Sequence, residues 1–280
     1  MTMQMREPPV PPVPGSRATP VSGLRDGRPF DRTDWVAEEV PVALEYNGIS
    51  HAVMLATPSD LEDFALGFSF TEGIVDGAAQ VFECEHAEGA RGYTVSLRIA
   101  SACLERLKQR RRSLAGRTGC GLCGTESLDH AIRRPPQLPG GPSFRHAAVV
   151  RALGEMRTRQ RLLGVTGATH AAAWCTGAGE IAFIREDVGR HNALDKLVGA
   201  LLRAHANAGD GFVLISSRAS YEMVQKTAMA GVGVLAAVSG VTALAVEVAT
   251  DAGLALLGFA RGDDVSIYSH AERIILTENP

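Results

Sequence analysis

Much is missing from this sequence, and each absence narrows what it can be. Residues 1–15 are rich in proline and have no apolar h-region, so no secretory signal peptide is expected there. There is no large charge of one sign: 28 Lys and Arg stand against 31 Asp and Glu, a net −3. That balance gives no reason to expect nucleic acid or a membrane surface as a partner. Cysteine is scarce, at five residues, odd in number and irregularly spaced. A secreted disulfide framework does not fit, and a reducing cytoplasm does. No internal repeat is found, and no second Cys-x-x-Cys that would complete a four-ligand zinc site. One uncharged run, residues 227–246, is long enough to span a bilayer. Gly231, Gly233, Ser239 and Gly240 break it, so it reads as a helix end, a buried strand, a turn and the start of another helix.

What remains is organised around Cys120 and Cys123, two residues apart, with Gly119, Gly121 and Gly124 around them. Such glycine density marks a backbone that bends, moves or approaches a ligand closely. Two thiols at this spacing can hold half a zinc site, form a reversible disulfide or carry sulfur as a persulfide. Arg117 and the basic helix expected over 102–114, with Arg106, Lys108, Arg110, Arg111 and Arg112, would favour the thiolate; a solvated helix face is the plainer reading. Zinc deaminases use His-x-Glu upstream of Pro-Cys-x-x-Cys. His86-Ala-Glu88 is present, but position 119 is Gly, and Glu88-Gly-Ala-Arg-Gly92 looks like a turn and not the opening of a helix. Cys84, Cys103 and Cys175 are expected to be packing residues.

The chain divides into four parts: a floppy tail over 1–25, an α+β subdomain over 26–115, the Cys-x-x-Cys loop with a Pro/Gly-rich linker over 116–143, and an α/β domain over 144–280. In the second part, strands over 39–46 and 49–56 flank Asn47-Gly48, a strong hairpin signal. Thr57, Pro58 and Asp60 look like a helix start, with Thr57 as cap, and Gly73 ends that helix. In the last part strands alternate with single helices, which predicts a largely parallel sheet covered on both faces.

Ligands bind beyond the carboxyl ends of such strands. Four polar segments should lie there. The first holds Arg190 and His191, with Asn192 as helix cap and Asp195 three positions on. The second runs from Ser216 to Ser220, with Ser217 and Arg218 in it, and the third from Ser239 to Thr242. The fourth is Phe259, Ala260, Arg261, Gly262, Asp263 and Asp264. Several helix starts and arginines on one edge suit a ligand with more than one phosphate. For each the plain reading is a helix cap or a surface turn. The density of charge between Arg185 and Lys196 is harder to read that way.

The strings Thr-Gly-Cys-Gly-Leu-Cys-Gly (118–124) and Arg-Glu-Asp-Val-Gly-Arg-His-Asn-Ala-Leu-Asp-Lys (185–196) together resemble the formate dehydrogenase accessory sulfurtransferase family, FdhD. The resemblance continues through 215–218, 222–226 and 258–262 and covers roughly residues 30 to 275. It implies a sulfurtransferase, cytoplasmic and homodimeric, that takes sulfur from a cysteine desulfurase as a cysteine persulfide. It passes the sulfur to the Mo-bis(molybdopterin guanine dinucleotide) cofactor before insertion into the formate dehydrogenase apoprotein. It also implies a three-layer cytidine deaminase-like C-terminal domain without the zinc chemistry. Carried over, Cys120 is the persulfide carrier, Cys123 the second thiol, and Phe259 to Asp264 the segment associated with the cofactor. Asp187 or Asp263 could hold a guanine ring, by hydrogen-bond inventory alone. The alternatives are a cofactor-binding chaperone with structural thiols and, further off, a zinc deaminase.

Overall fold

The computed structural model describes residues 13–115 and 134–276, with side chains to 109 and again from 134. The first two strands, β1 (Ser16–Arg25) and β2 (Arg28–Ala37), form an antiparallel ribbon. Residues 16–25 therefore belong to a strand and not to a floppy tail. The cause is Asp26-Gly27, whose φ values of 52° and 73° make the same tight turn as Asn-Gly.

The N-terminal sheet has the order β4-β3-β6-β5, from β3 (Val40–Tyr46), β4 (Ile49–Ala56), β5 (Val81–Gly89) and β6 (Gly92–Ile99). Asn47 and Gly48 close the β3–β4 hairpin at positive φ, as their sequence requires. Against one face of this sheet lie α1 (Leu61–Thr71) and α2 (Ser101–Ala115). Gly73, at φ 62°, follows the end of α1. Thr57 does not cap α1. Its N–H donates to Asp187 (3.0 Å), its hydroxyl accepts from the Val188 N–H (3.2 Å), and its carbonyl accepts from Lys196 (3.0 Å). All three groups serve the other half of the chain, and α1 starts after Asp60 with no side-chain cap.

The C-terminal half runs β7 (Phe144–Arg145), α3 (His146–Arg159), α4 (Arg161–Thr166), β8 (His170–Cys175), β9 (Ile181–Asp187), α5 (Arg190–Arg203), β10 (Phe212–Ile215), α6 (Tyr221–Met229), β11 (Val234–Ala237), α7 (Ala243–Ala252), β12 (Ala255–Arg261), β13 (Asp264–Ser269) and β14 (Ile274–Ile275). Six of these strands form one sheet in the order β13-β12-β11-β10-β8-β9. The fully apolar strands β10 and β11 are buried on both faces, which places them mid-sheet. One face is covered by α5, α6 and α7, the other by α3. The sheet is mixed rather than largely parallel. Only β10–β11 and β11–β12 are parallel; β8–β9, β8–β10 and β12–β13 are antiparallel. Short turns after β8 and β12 leave no room for the crossover that parallel pairing needs.

The two halves are locked together along α1 and α5. Helix α1 is buried on nearly every side, which its apolar circumference requires. Asp63 on α1 binds Arg185 (2.7 Å) and Arg203 (2.9 Å). Thr71 donates to Asp195 (2.7 Å), and Lys226 reaches Thr71 (2.9 Å) and Asp195 (2.9 Å). Burial works against the Lys226 charge, but Asp195 and Glu72 more than offset it and raise its pKa. Lys196 and Asp187, both fully buried, pair at 2.7 Å. Among the described residues, no helix is long and apolar enough to cross a membrane.

Candidate functional site

The parallel pairings put the carboxyl ends of β10, β11 and β12 on one edge of the sheet. Because β8 runs against β10, its start and the end of β9 lie on the same edge, with His170 opposite Asp187. Four loops gather there, and backbone hydrogen bonds brace them. Val238 donates to the carbonyl of Ile215, Ala219 to Gly240, Thr242 to Ala219 and Phe259 to Ser239. Thr242 caps α7 through the Ala245 N–H.

Phe259 takes the left-handed conformation (φ 52°), which non-glycine residues enter only where the surroundings impose it. Its ring is half exposed and lies over Gly240, where a Cβ would come within 3.1 Å of it. Ala260 is buried. Arg261 is exposed and donates through Nε to the Val238 carbonyl (3.1 Å). Gly262 turns the chain at φ 58°, and Asp263 and Asp264 face solvent at the start of the returning strand. Between this segment and α3 opens a cavity of about 450 Å³. Met156, Gln160, Ser216, Ala260 and Arg261 line it, and the buried Gln160 amide nitrogen has no hydrogen-bond partner.

On the other face of the edge, α5 begins with Arg190 and His191, and Arg218 is exposed nearby in the β10 loop. His191 Nε2 lies 2.6 Å from the Glu222 carboxylate. His170 is pushed below its ordinary 6.5 by burial first, and then by the charges of Arg190 and His191. A histidine with a lowered folded pKa adds stability above pH 6.5 and loses it as pH falls from 6.5 through the lower folded value. Unfolding at a series of pH values is therefore expected to show a drop below pH 6.5 that is smaller in His170→Asn.

Most of the dense 185–196 string does not face the edge. Glu186 accepts the Leu162 and Leu163 N–H groups at the start of α4, both at 2.9 Å. Asp187 is fully buried and committed to Thr57, Gly189, Asn192 and Lys196. It cannot hold a guanine ring. Asn192 is not the helix cap; Gly189 is, and the Asn192 side chain ties Leu55 (2.8 Å) to Asp187 (3.0 Å). Ser217 is also buried, its hydroxyl turned to the Arg218 carbonyl (3.0 Å). Arg190 and His191 remain at the edge. Sequence reasoning placed Ser220 there, at the end of the Ser216 to Ser220 segment, but missed His170, Gln160 and Glu222, since each is an ordinary polar residue until the loops are brought together.

Cys120, Cys123 and Arg117 lie outside the described residues. The chain before them leaves through α2, where Arg106 is paired with Asp76 (2.9 Å) and Lys108 with Glu105 (3.0 Å). These two charges have partners already. Beyond the loop, Arg134 pairs with Asp251 (3.1 Å) and the Leu138 N–H bonds the Ala252 carbonyl, at the edge opposite the four loops. Of the other thiols, Cys103 and Cys175 are buried and Cys84 is half-buried. Burial pushes the Cys84 thiol up to about 12 and raises Cys175 further, which keeps both protonated. His86 and Glu88 sit on strand β5, not at the opening of a helix as a zinc deaminase needs.

Fold and site define a two-part mixed α/β protein with its polar loops and exposed arginines on one sheet edge. A family model described as the FdhD/NarQ family matches residues 37–275. The chain is 59% identical over 266 residues to the sulfur carrier protein FdhD of Variovorax paradoxus, covering 95% of this chain and 96% of that one. It is 57% identical to the protein of the same name from Bordetella petrii, over 88% of each chain. A crystal structure of a formate dehydrogenase accessory protein from Desulfotalea psychrophila has the same fold, with a TM-score of 0.75 at 22% identity, covering 94% of this chain and 100% of that one. The chain belongs to the FdhD/NarQ family.

Proposed function

We propose that this protein is a sulfur carrier for the maturation of formate dehydrogenase. In this reading Cys120 takes sulfur from a cysteine desulfurase in the cytoplasm. The sulfur is then delivered to the Mo-bis(molybdopterin guanine dinucleotide) cofactor, the substrate, which is held at the sheet edge of a homodimeric carrier. The observation that carries the reading is a pairing within one chain of this family. Cys120-Gly-Leu-Cys123 occurs together with an edge that offers Arg190, His191, Arg218 and Arg261 to a ligand with several phosphates. The residues fit such a substrate, because polar atoms of Gln160, Arg190 and Ser220 on this edge are buried without partners.

In the first step the Cys120 thiolate attacks the outer sulfur of the donor persulfide. The donor S–S bond breaks, its cysteine leaves as thiolate, and Cys120 holds the persulfide with no net oxidation. Release of sulfide by Cys123 attack on the Cys120 sulfur leaves a Cys120–Cys123 disulfide, which a dithiol must then reduce.

The test is intact mass and peptide mapping after incubation with a cysteine desulfurase and free cysteine. A reducible gain of one sulfur on the Cys120 peptide is expected, falling to background in Cys120→Ala. Replacing Cys84 or Cys175 by Ser should leave the gain intact, since both thiols are held protonated. A chaperone with structural thiols gives the contrary result: no sulfur gain, with cofactor binding unchanged in Cys120→Ala.

A further inference from the structure

The N-termini of α5 and α6 meet at one corner of the edge, and their side chains are left with unmet donors. Arg190 Nε and the Ser220 hydroxyl are buried and have no hydrogen-bond partner. His191 Nε2 lies 2.6 Å from the Glu222 carboxylate, which is its only acceptor among the described residues. His170 stands close enough to Arg190 and His191 to feel both charges. Both helices are long enough for their first N–H groups and dipoles to favour an anion here. A buried donor without an acceptor is costly, so the two left open beside the His191–Glu222 pair call for a further acceptor.

One anion is already present. Glu222 is half exposed, and the contact with His191 pulls its pKa down, as do the charges of Lys226 and Arg190 against the opposing effect of burial. It is a carboxylate at neutral pH. A single carboxylate meets His191 but leaves the Ser220 hydroxyl and Arg190 Nε open. A phosphate has enough acceptor oxygens for all three and carries more charge.

We infer that this corner is a phosphate subsite, with Arg190, His191 and Ser220 as donors and Glu222 as the resident carboxylate that the phosphate must displace. The inference rests on reading the edge as the face that holds the nucleotide cofactor; it adds Glu222 to that face and gives Ser220 the role of phosphate donor. It also places this subsite on the α5–α6 side of the sheet, across from the cavity beside α3. A carboxylate that returns to His191 weakens phosphate binding, which suits a carrier that must release what it holds.

Calorimetric titration of the full chain with GDP, pyrophosphate and inorganic phosphate at fixed ionic strength tests this. Glu222→Gln is expected to bind GDP and pyrophosphate roughly five- to twentyfold tighter, as removal of one partly exposed repelling charge should. Ser220→Ala should bind both roughly three- to tenfold more weakly. Glu180→Gln removes the same charge at the opposite edge, beyond the β8–β9 turn, and should change affinity by less than about twofold. A merely structural Glu222 would give equal or weaker binding in Glu222→Gln; that outcome, with GDP still bound by the wild-type chain, overturns this inference and leaves the cofactor-holding edge intact. A gain for GDP without one for pyrophosphate overturns it in favour of base contact. Inorganic phosphate bound as tightly as GDP assigns the subsite to free phosphate. Failure of every variant to bind any probe at millimolar concentration overturns both readings.

Discussion

Lys196→Met is expected to lower the unfolding free energy by about 3–5 kcal/mol, the cost of leaving one member of a buried ion pair alone. Lys196 and Asp187 are both fully buried and 2.7 Å apart. Without the ammonium, the Asp187 charge keeps only hydrogen bonds from neutral donors, and the Thr57 carbonyl loses its donor as well. The loss reaches the site. Asp187 accepts the Gly189 N–H (2.7 Å) immediately before α5, so it sets where Arg190 and His191 begin. Urea unfolding of wild type, Lys196→Met and the Asp187→Asn/Lys196→Met double variant measures the effect. The double variant should recover part of the stability, because no uncompensated charge remains. A loss below about 1 kcal/mol in the single variant would mean that water or another cation replaces the lysine, and the interlock would have to be assigned elsewhere.

Gly67→Ala and Gly199→Ala should each destabilise by about 3 kcal/mol or more, the upper range for overpacking. In an ordinary helix interior the same change stabilises by roughly 1 kcal/mol, so the expected sign is reversed. A Cβ on Gly67 would lie 1.8 Å from the Asp195 carbonyl oxygen, and one on Gly199 1.9 Å from that of Asp63. The contacts are reciprocal and involve backbone on both sides, so no rotamer change relieves them. Helices α1 and α5 would have to move apart, stretching Arg185–Asp63 and Thr71–Asp195. Thermal unfolding with circular dichroism reads the sign directly, and a raised melting temperature in either variant would sink the close-crossing account.

The interlock explains why the sequence misled where it was densest. From Arg185 to Lys196 the string looks like a ligand site, because charged and polar residues are costly to bury without partners and commonly mark function. Partners exist: some lie within the string, as Lys196 and Asn192 do for Asp187, but Thr57, Asp63, Leu55, Thr71 and Lys226 are each more than thirty residues from the residue they bind. No local pattern announces them. The parallel-sheet expectation failed similarly: alternating strands and helices are legible, but the direction of β8 depends on a pairing with β10 decided across the sheet. The ribbon of β1 and β2 was legible in Asp26-Gly27, but the proline, serine and glycine around β1 obscured it.

By itself the sequence determined the local events. Asn47-Gly48 had to turn, because both residues enter positive φ cheaply. The apolar runs of β10 and β11 had to be central, because neither face tolerates water. Gly231, Gly233 and Gly240 broke the long uncharged run into a helix, a strand and a loop before the next helix. It also carried the motifs that mark the family. Only the tertiary structure decided which polar residues are interlock and which face the edge. Asp187, Asn192, Asp195 and Lys196 went inward, while Arg190, His191, Ser220 and Glu222 met at one corner. The physical reason is that burial and pairing of a charge are fixed by partners distant in sequence, and those partners exist only once α1 has packed against α5.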